Sequence, residues 1–259
     1  MGALHQGHLD IVQRAHRENG LTVTSVFVNP RQFNDSTDFD TYPRKLEHDE
    51  QKLASAGCDM LLAPEVEAIY PSHDPYPRPA FDLGLLGEVL EGPRRPGHFE
   101  GMLDVVHRLF CIVQPNRAYF GQKDLQQLLI VKAFAQQHHP DVEIVAHPTQ
   151  RAADGLALSS RNARLSPAGR KEASSLYQSM VAIARQAPNA ASPENVVQTQ
   201  KDQLKTRPRV QEVEYLSVRE ARDLAPCDWH LNTEKVICAA VWIEGVRLID
   251  NLFIPQEKT

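Results

Sequence analysis

Met1-Gly2-Ala3-Leu4-His5-Gln6-Gly7-His8 opens the chain and runs straight into an amphipathic stretch. After Asp10, the apolar residues Ile11, Val12 and Ala15 recur at helical spacing, with Leu9 outside that pattern. Asn19-Gly20 is a C-cap signal, so the spacing predicts a helix from Asp10 to about Glu18. His5 and His8 then lie at the helix N-terminus, on one face and about one turn apart. Free backbone N–H groups and the positive end of the helix dipole point to the same place, and Gly7 removes a side chain that would block close approach. Such a site suits a polyphosphate, and two imidazoles add donors for oxygens that gain charge in a transition state. Two plainer readings stand beside it. One is a pair of solvated histidines. The other is half a zinc site, for which no third ligand stands at metal-site spacing.

Working outward, Leu21–Val28 (LTVTSVFV) is β-branched and nearly continuous, which predicts a buried parallel strand ended by Asn29-Pro30. Gln32, Phe33 and Asn34 follow at its carboxyl end, where ligands bind in such sheets. Asp38 to Tyr42 leads into Pro43 and a helix to about Ala56, capped by Gly57, and Met60–Ala63 is a short strand. Residues 64–98 are rich in Pro and Gly and read as a long irregular connection, often functional in a compact domain. Within it, Gly92-Pro93-Arg94-Arg95-Pro96-Gly97-His98-Phe99 sets two arginines and a histidine before a helix from Glu100 to Val113. It reads equally well as a solvated basic loop. Arg117–Phe120 predicts a strand, Leu125 to about Gln137 a helix, and Val142–His147 a strand. This β-α alternation predicts an α/β fold with a doubly wound, Rossmann-like parallel sheet. In such folds the phosphate motif follows a strand, and that first strand is missing from this sequence. The expectation is a trimmed chain or a start assigned to an internal methionine.

After Pro148 the character changes. Asp154-Gly155 is a turn and Leu156–Arg164 a small polar loop. Ser166-Pro167 and Ser192-Pro193 start helices, the first running to about Gln186. Val210–Val218, Lys235–Ile243 and Val246–Ile254 read as strands, the last two joined by a tight Glu244-Gly245 hairpin. The expected division is a Rossmann-like domain at 1–149 and a smaller α+β domain at 150–259.

Composition narrows the class. The chain has 259 residues, 42% of them hydrophobic, enough for real cores. A net charge of -5 argues against bulk nucleic-acid binding. The four cysteines, Cys58, Cys111, Cys227 and Cys238, form no C-x-x-C. Cys111 and Cys238 read as buried small hydrophobes, and a reducing, cytoplasmic setting fits better than a disulfide framework. There is no signal peptide pattern and no apolar run long enough for a membrane span.

Three further groups carry chemistry. Lys123 precedes a helix start, where an ammonium reaches phosphate as a point charge. Its neighbours Asp124 and Gln127 have capping-box spacing and read equally as helix caps. Ser159-Ser160-Arg161 offers two hydroxyls and a guanidinium as a mobile phosphate clamp, although Ser-rich loops are common. Gln32 and Gln127 are amides able to hold hydroxyl or carboxylate groups. No Ser-His-Asp arrangement, nucleophilic cysteine setting or carboxylate pair stands out. Phosphate binders without an evident nucleophile point to nucleotidyl transfer, in which the protein orients an attacking group at the α-phosphorus of ATP.

These residues carry a resemblance. MGALHQGH at 1–8, FVNPRQF at 27–33, RPGHFEG at 95–101, QPNRAYFGQKDLQQL at 114–128, ADGLALSSRN at 153–162 and RLIDN at 247–251 occur in the order of the pantoate–β-alanine ligase family, within the HIGH-motif nucleotidyltransferase superfamily. The resemblance implies a ligase forming an amide bond in two steps. Pantoate carboxylate attacks ATP to give pantoyl adenylate and pyrophosphate, and the β-alanine amine then displaces AMP. Carried over position by position, His8, His5 and Lys123 are catalytic. Met1, Gly2, Ala3, Leu4, His5, Gln6, Gly7 and His8 line the ATP site with Gly121, Gln122, Lys123, Asp124, Gln150, Leu158, Ser159, Ser160 and Arg161. Gln32 holds pantoate and lies near β-alanine, and Gln127 holds pantoate. The resemblance also implies Mg2+ with ATP, no dedicated protein metal site, no nucleic-acid or membrane partner, and a cytoplasmic homodimer.

Three departures mark this chain. Gln122 stands where the family usually has Glu, and Gln150 and Ala152 replace the usual Val and Glu. The family's first, central strand and the Pro-Thr before Met1 are absent, so a polypeptide starting at Met1 is expected to be destabilised or poorly active. Two alternatives remain in view: another HIGH-motif transferase such as a cytidylyltransferase-like protein, and a non-catalytic nucleotide-binding remnant.

Overall fold

The computed structural model describes residues 2–32, 39, 42 and 45–255. Met1, Phe33, Asn34, Asp38 and Pro43 therefore lie outside the described residues. The chain forms two compact units, Met1–Gln122 with Gln126–Pro148, and Lys123–Leu125 with Thr149–Thr259.

In the first unit, α1 spans Gln6–Glu18 and begins earlier than the apolar spacing predicted. His5 is the N-cap, and the amides of His8 and Leu9 both donate to its carbonyl. The exclusion of Leu9 from the inward face is corrected: Leu9 packs on the cluster of Leu4, Val12, Leu53 and Ala56. The helix ends without a left-handed glycine. Asn19 is extended, and its amide donates 2.7 Å to the Ala15 carbonyl and 2.8 Å to the Tyr119 hydroxyl.

The strand expected over 21–28 is a ladder of three residues, β1 (Val23–Ser25). Then come α2 (Leu46–Ser55), β2 (Met60–Leu62), two single helical turns at Val66–Ile69 and Leu85–Glu88, and α3 (His98–Val113). Next are β3 (Arg117–Gly121), α4 (Leu125–His138) and β4 (Glu143–His147). β1 pairs in parallel with β2 and β3 with β4, so the strands are hydrogen-bonded as two parallel pairs. The core under β3 and β4 joins Phe99, Met102, Leu103 and Phe110 of α3 to Ile130, Val131 and Phe134 of α4.

One buried cation pins the irregular connection to α3. Arg108 donates to both carboxylate oxygens of Asp74, to Asp104 and to the Ile69 carbonyl. The guanidinium carbons of Arg31 and Arg108 lie 3.8 and 4.9 Å from the centre of the Tyr70 ring. The Arg108 hydrogen bonds hold the Asp74 carboxyl down at about 2, below its ordinary 3.8. A depressed carboxylate stabilises the fold above its unfolded pKa and loses that contribution as pH falls through its folded one. Wild-type stability is therefore expected to fall between about pH 4 and pH 2 through this group. Asp74→Asn should flatten that part of the profile, read as unfolding midpoints across an acid series.

In the second unit, α5 spans Pro167–Gln186 and α6 spans Pro193–Lys205. Ser166 caps α5, its hydroxyl accepting from the Gly169 amide at 3.0 Å, with Pro167 at the first helical position. β5 (Val210–Glu220), β6 (Lys235–Ile243) and β7 (Val246–Ile254) form an antiparallel sheet in that order. Glu244 (φ 50°) and Gly245 (φ 74°) make the turn between β6 and β7, both in the left-handed region that a type I′ hairpin needs. Leu176, Met180 and Ile183 of α5 pack on Ile237, Ala239, Val241 and Leu248 of the sheet.

Candidate active site

The segment before α1 is held from outside the motif. Ala3 sits at φ 51°, a conformation L-residues rarely adopt, at a cost of about 1–3 kcal/mol. Two bonds from α2 fix the next residue. The Leu4 amide donates 2.7 Å to Asp49, and the Lys52 ammonium donates 2.6 Å to the Leu4 carbonyl. Asp49 is buried, so this bond is made in a dry setting. Beyond this strap the rings of His5 and His8 stack at 3.9 Å between centroids, inclined by 27°. His8 Nδ1 accepts from the His5 amide at 3.3 Å, so the neutral His8 ring carries its proton on Nε2. Gly2 and Gly7 are buried. The Gln6 side chain is occupied on the helix surface, donating 2.7 Å to Asp10.

Gln32 closes a 3-10 turn, Pro30–Gln32. Buried Asn29 organises that turn. Its amide nitrogen donates 2.9 Å to the Gly101 carbonyl, and its oxygen accepts from the Tyr70 hydroxyl and the Arg31 amide. His98 braces the same turn. Its Nδ1 lies 2.8 Å from the Gln32 carbonyl, which can only accept, so Nδ1 carries the proton. Nε2 then accepts from Arg95 at 3.0 Å. The solvated-loop reading of 92–99 therefore fails for His98 and Phe99, both of which are buried. Gly101 lets α3 approach, because a Cβ there would lie 2.0 Å from the Arg31 carbonyl oxygen. Gln127 is partly exposed on α4. Its buried neighbour Gln126 spends its amide on the backbone of Leu86, Val89 and Glu91.

The second unit carries Lys123 and the 158–161 turn. Lys123 lies 3.4 Å from Asp124, and its carbonyl accepts from Asn251 of β7 at 2.8 Å. Arg151 meets Asp250 through two bonds of 2.6 and 3.0 Å. The same guanidinium donates to the carbonyls of Asn251 and Gly155, and lies 4.5 Å from the Tyr177 ring. Burial pushes the Asp250 carboxyl above the ordinary range, and Arg151 offsets part of that. Leu158 donates to the Gln150 carbonyl, closing a tight loop over 150–158. Gly155 turns it at φ 89°, where a Cβ would meet Tyr177 at 1.9 Å. The Ser159 hydroxyl accepts from the Arg161 amide, and Ser160–Arg164 continues as a 3-10 helix. Gly121 and Gln122, at the carboxyl end of β3, are partly exposed.

His5, His8, Gln32 and Gln127 thus belong to the first unit, and Lys123, Asp124, Gln150 and 158–161 to the second. Sequence reasoning missed Asp49, Lys52 and Arg151 entirely, and met Asn29 and Gln126 only inside longer motifs. It noted His98, Asp250 and Asn251 only as parts of longer motifs. The two buried polar residues of RLIDN were the available signal, since an Asp-Asn pair inside an otherwise apolar strand needs partners.

A family model described as pantoate-beta-alanine ligase matches residues 1–253. The pantothenate synthetase of Cytophaga hutchinsonii is 41% identical over 256 residues, covering 98% of this chain and 89% of that protein. The crystal structure of pantothenate synthetase from Thermus thermophilus is similar at a TM-score of 0.89 and 44% identity, covering 97% of this chain and 90% of that one. The pantoate-beta-alanine ligase of Francisella tularensis, solved with beta-gamma ATP and beta-alanine, gives a TM-score of 0.76 at 34% identity, covering 100% of this chain and 88% of that one.

Proposed function

The chain belongs to the pantoate–β-alanine ligase family, and from that premise we propose how its residues condense pantoate with β-alanine at the expense of ATP. The observation that carries the reading is the stacked His5–His8 pair at the start of α1, its entry fixed by Asp49 and Lys52. In the first step a pantoate carboxylate oxygen bonds to the α-phosphorus and pyrophosphate leaves. His8 Nε2–H, His5 and the Gln6 and Gly7 amides of the first turn donate to phosphate oxygens as charge moves onto them. Lys123 adds a cation, and Gly121, Gln122, Asp124, Gln150, Leu158, Ser159, Ser160 and Arg161 complete the ATP contacts. Gln32 and Gln127 hold pantoate and keep its carboxylate in line. In the second step the amine of β-alanine, placed near Gln32, attacks the acyl carbon. The amine loses a proton and the C–O bond to AMP breaks, giving the amide.

Mg2+ neutralises phosphate charge when it accompanies ATP. Asp124, exposed beside Lys123, fits the one or two carboxylates that Mg2+ usually takes from a protein, the phosphates and water supplying the rest. A cytoplasmic homodimer is proposed from the resemblance. The reducing compartment is supported by four cysteines that form no disulfide. Light scattering reads the assembly.

Pantoate carrying 18O in its carboxylate tests the chemistry. One label is expected in the AMP phosphate, with AMP release requiring both substrates. Label in inorganic phosphate with ADP release would overturn the adenylate route, and nucleotide binding without AMP formation would favour the remnant. Gly101→Ala tests the Gln32 turn. Its Cβ must displace the Arg31 carbonyl, an overpacking cost of about 1–3 kcal/mol. The KM for pantoate is expected to rise about ten-fold or more while the KM for ATP changes little.

A further inference from the structure

His107, Cys111 and His139 cluster in the first unit, and none of the three is assigned to the reaction. His107 and Cys111 stand four apart on α3, hence on one face, and His139 follows the last turn of α4. One ligand atom from each lies within 4.8 Å of the others. His107 Nδ1 is 2.9 Å from His139 Nε2, and Cys111 Sγ is 3.7 and 4.0 Å from the two ring nitrogens of His107. Zinc–ligand bonds of about 2.3 Å to sulfur and 2.0–2.1 Å to nitrogen, at tetrahedral angles, need separations of roughly 3.5 Å for S···N and 3.3 Å for N···N. The His107–His139 and His107–Cys111 distances miss these by a few tenths of an ångström in opposite senses, and Cys111 Sγ lies within 4.8 Å of a His139 ring nitrogen. Metal binding requires rotation of the imidazoles that breaks their mutual hydrogen bond.

The surroundings favour a borderline-soft cation. The Phe134 ring contacts both histidines and Phe110 contacts His139. Cys111 and His139 are partly exposed, which leaves a way in and room for a water as fourth ligand; the expectation of Cys111 as a buried small hydrophobe is corrected accordingly. Arg108, adjacent on α3, is charge-compensated by Asp74 and Asp104. We propose that His107, Cys111 and His139 bind one divalent transition-metal ion of the zinc class, pinning the end of α4 to α3. On binding, the Cys111 thiol loses its proton to solvent and the thiolate bonds to the metal.

Cobalt(II) reports the site by its colour. Titrated into the whole chain without nucleotide, it is expected to bind with a thiolate-to-cobalt charge-transfer band that saturates at one ion per chain. Cys111→Ser should abolish the band, and His107→Gln or His139→Gln should weaken binding about ten-fold or more. On unaltered protein, zinc should slow the labelling of Cys111 by a thiol reagent but not that of Cys58 or Cys227, a test that needs no variant to fold. No charge-transfer band, a band that survives Cys111→Ser, or equal labelling with and without zinc would overturn the proposal. The trio would then be a hydrogen-bonded histidine pair beside a thiol.

Discussion

Replacing His8 by alanine is expected to lower kcat by about 10²–10³-fold, far more than its modest loss of stability accounts for. The magnitude follows from removing one pre-organised donor to an oxygen that gains charge in the transition state. His8 has its Nδ1 side committed to the His5 amide, so Nε2–H is the end that donates to substrate. The structural cost includes that long 3.3 Å bond and the stack on His5, each about 0.5–1.5 kcal/mol. His8→Asn, which keeps a donor without the ring's reach, should fall between wild type and alanine. Steady-state kinetics for ATP and pantoate, with urea unfolding of each variant, separates the two effects. An equal loss of stability and activity would make His8 a helix cap and nothing more.

Asp250→Ala is the second large effect, and it acts first on stability. Asp250 is almost wholly buried, and its partner Arg151 has little exposure. Removing one member of such a pair leaves an uncompensated charge and costs about 3–5 kcal/mol. Both tryptophans of the chain, Trp229 and Trp242, lie in the second unit, so fluorescence-detected urea unfolding reports that unit. The same change should slow the reaction, because Arg151 fixes the 150–158 loop and the carbonyl of Asn251, whose side chain holds Lys123. Arg151→Met with Asp250→Leu, which removes both charges, should recover much of the stability but not the kinetics. Recovery of both would show that the pair serves the fold alone.

Several elements were legible because local chemistry dictates them. Ser166-Pro167 is a helix start whose cap needs no tertiary context. Glu244-Gly245 supplies the two left-handed residues of a tight hairpin, and β6 and β7 have the expected bounds. Period and punctuation carried less weight where tertiary contacts overrode them. The 21–28 run is apolar enough for a long strand, yet only Val23–Ser25 finds ladder partners in β2. α1 begins at Gln6 because His5 caps it, which no apolar pattern reports.

The sequence by itself determined the α/β alternation, the antiparallel end and the family, since motifs in fixed order need no coordinates to be read. It also determined that two histidines begin a helix. Tertiary structure alone decided what holds those motifs in place. Asp49 and Lys52 reach Leu4 from a separate helix, Asn29 and His98 brace the Gln32 turn across some seventy residues, and Arg151 meets Asp250 across 99 positions. The physical reason is common to all three. A buried polar group must find a partner, but its residue type says only that one is needed; the folded path of the chain decides which one is within 3 Å.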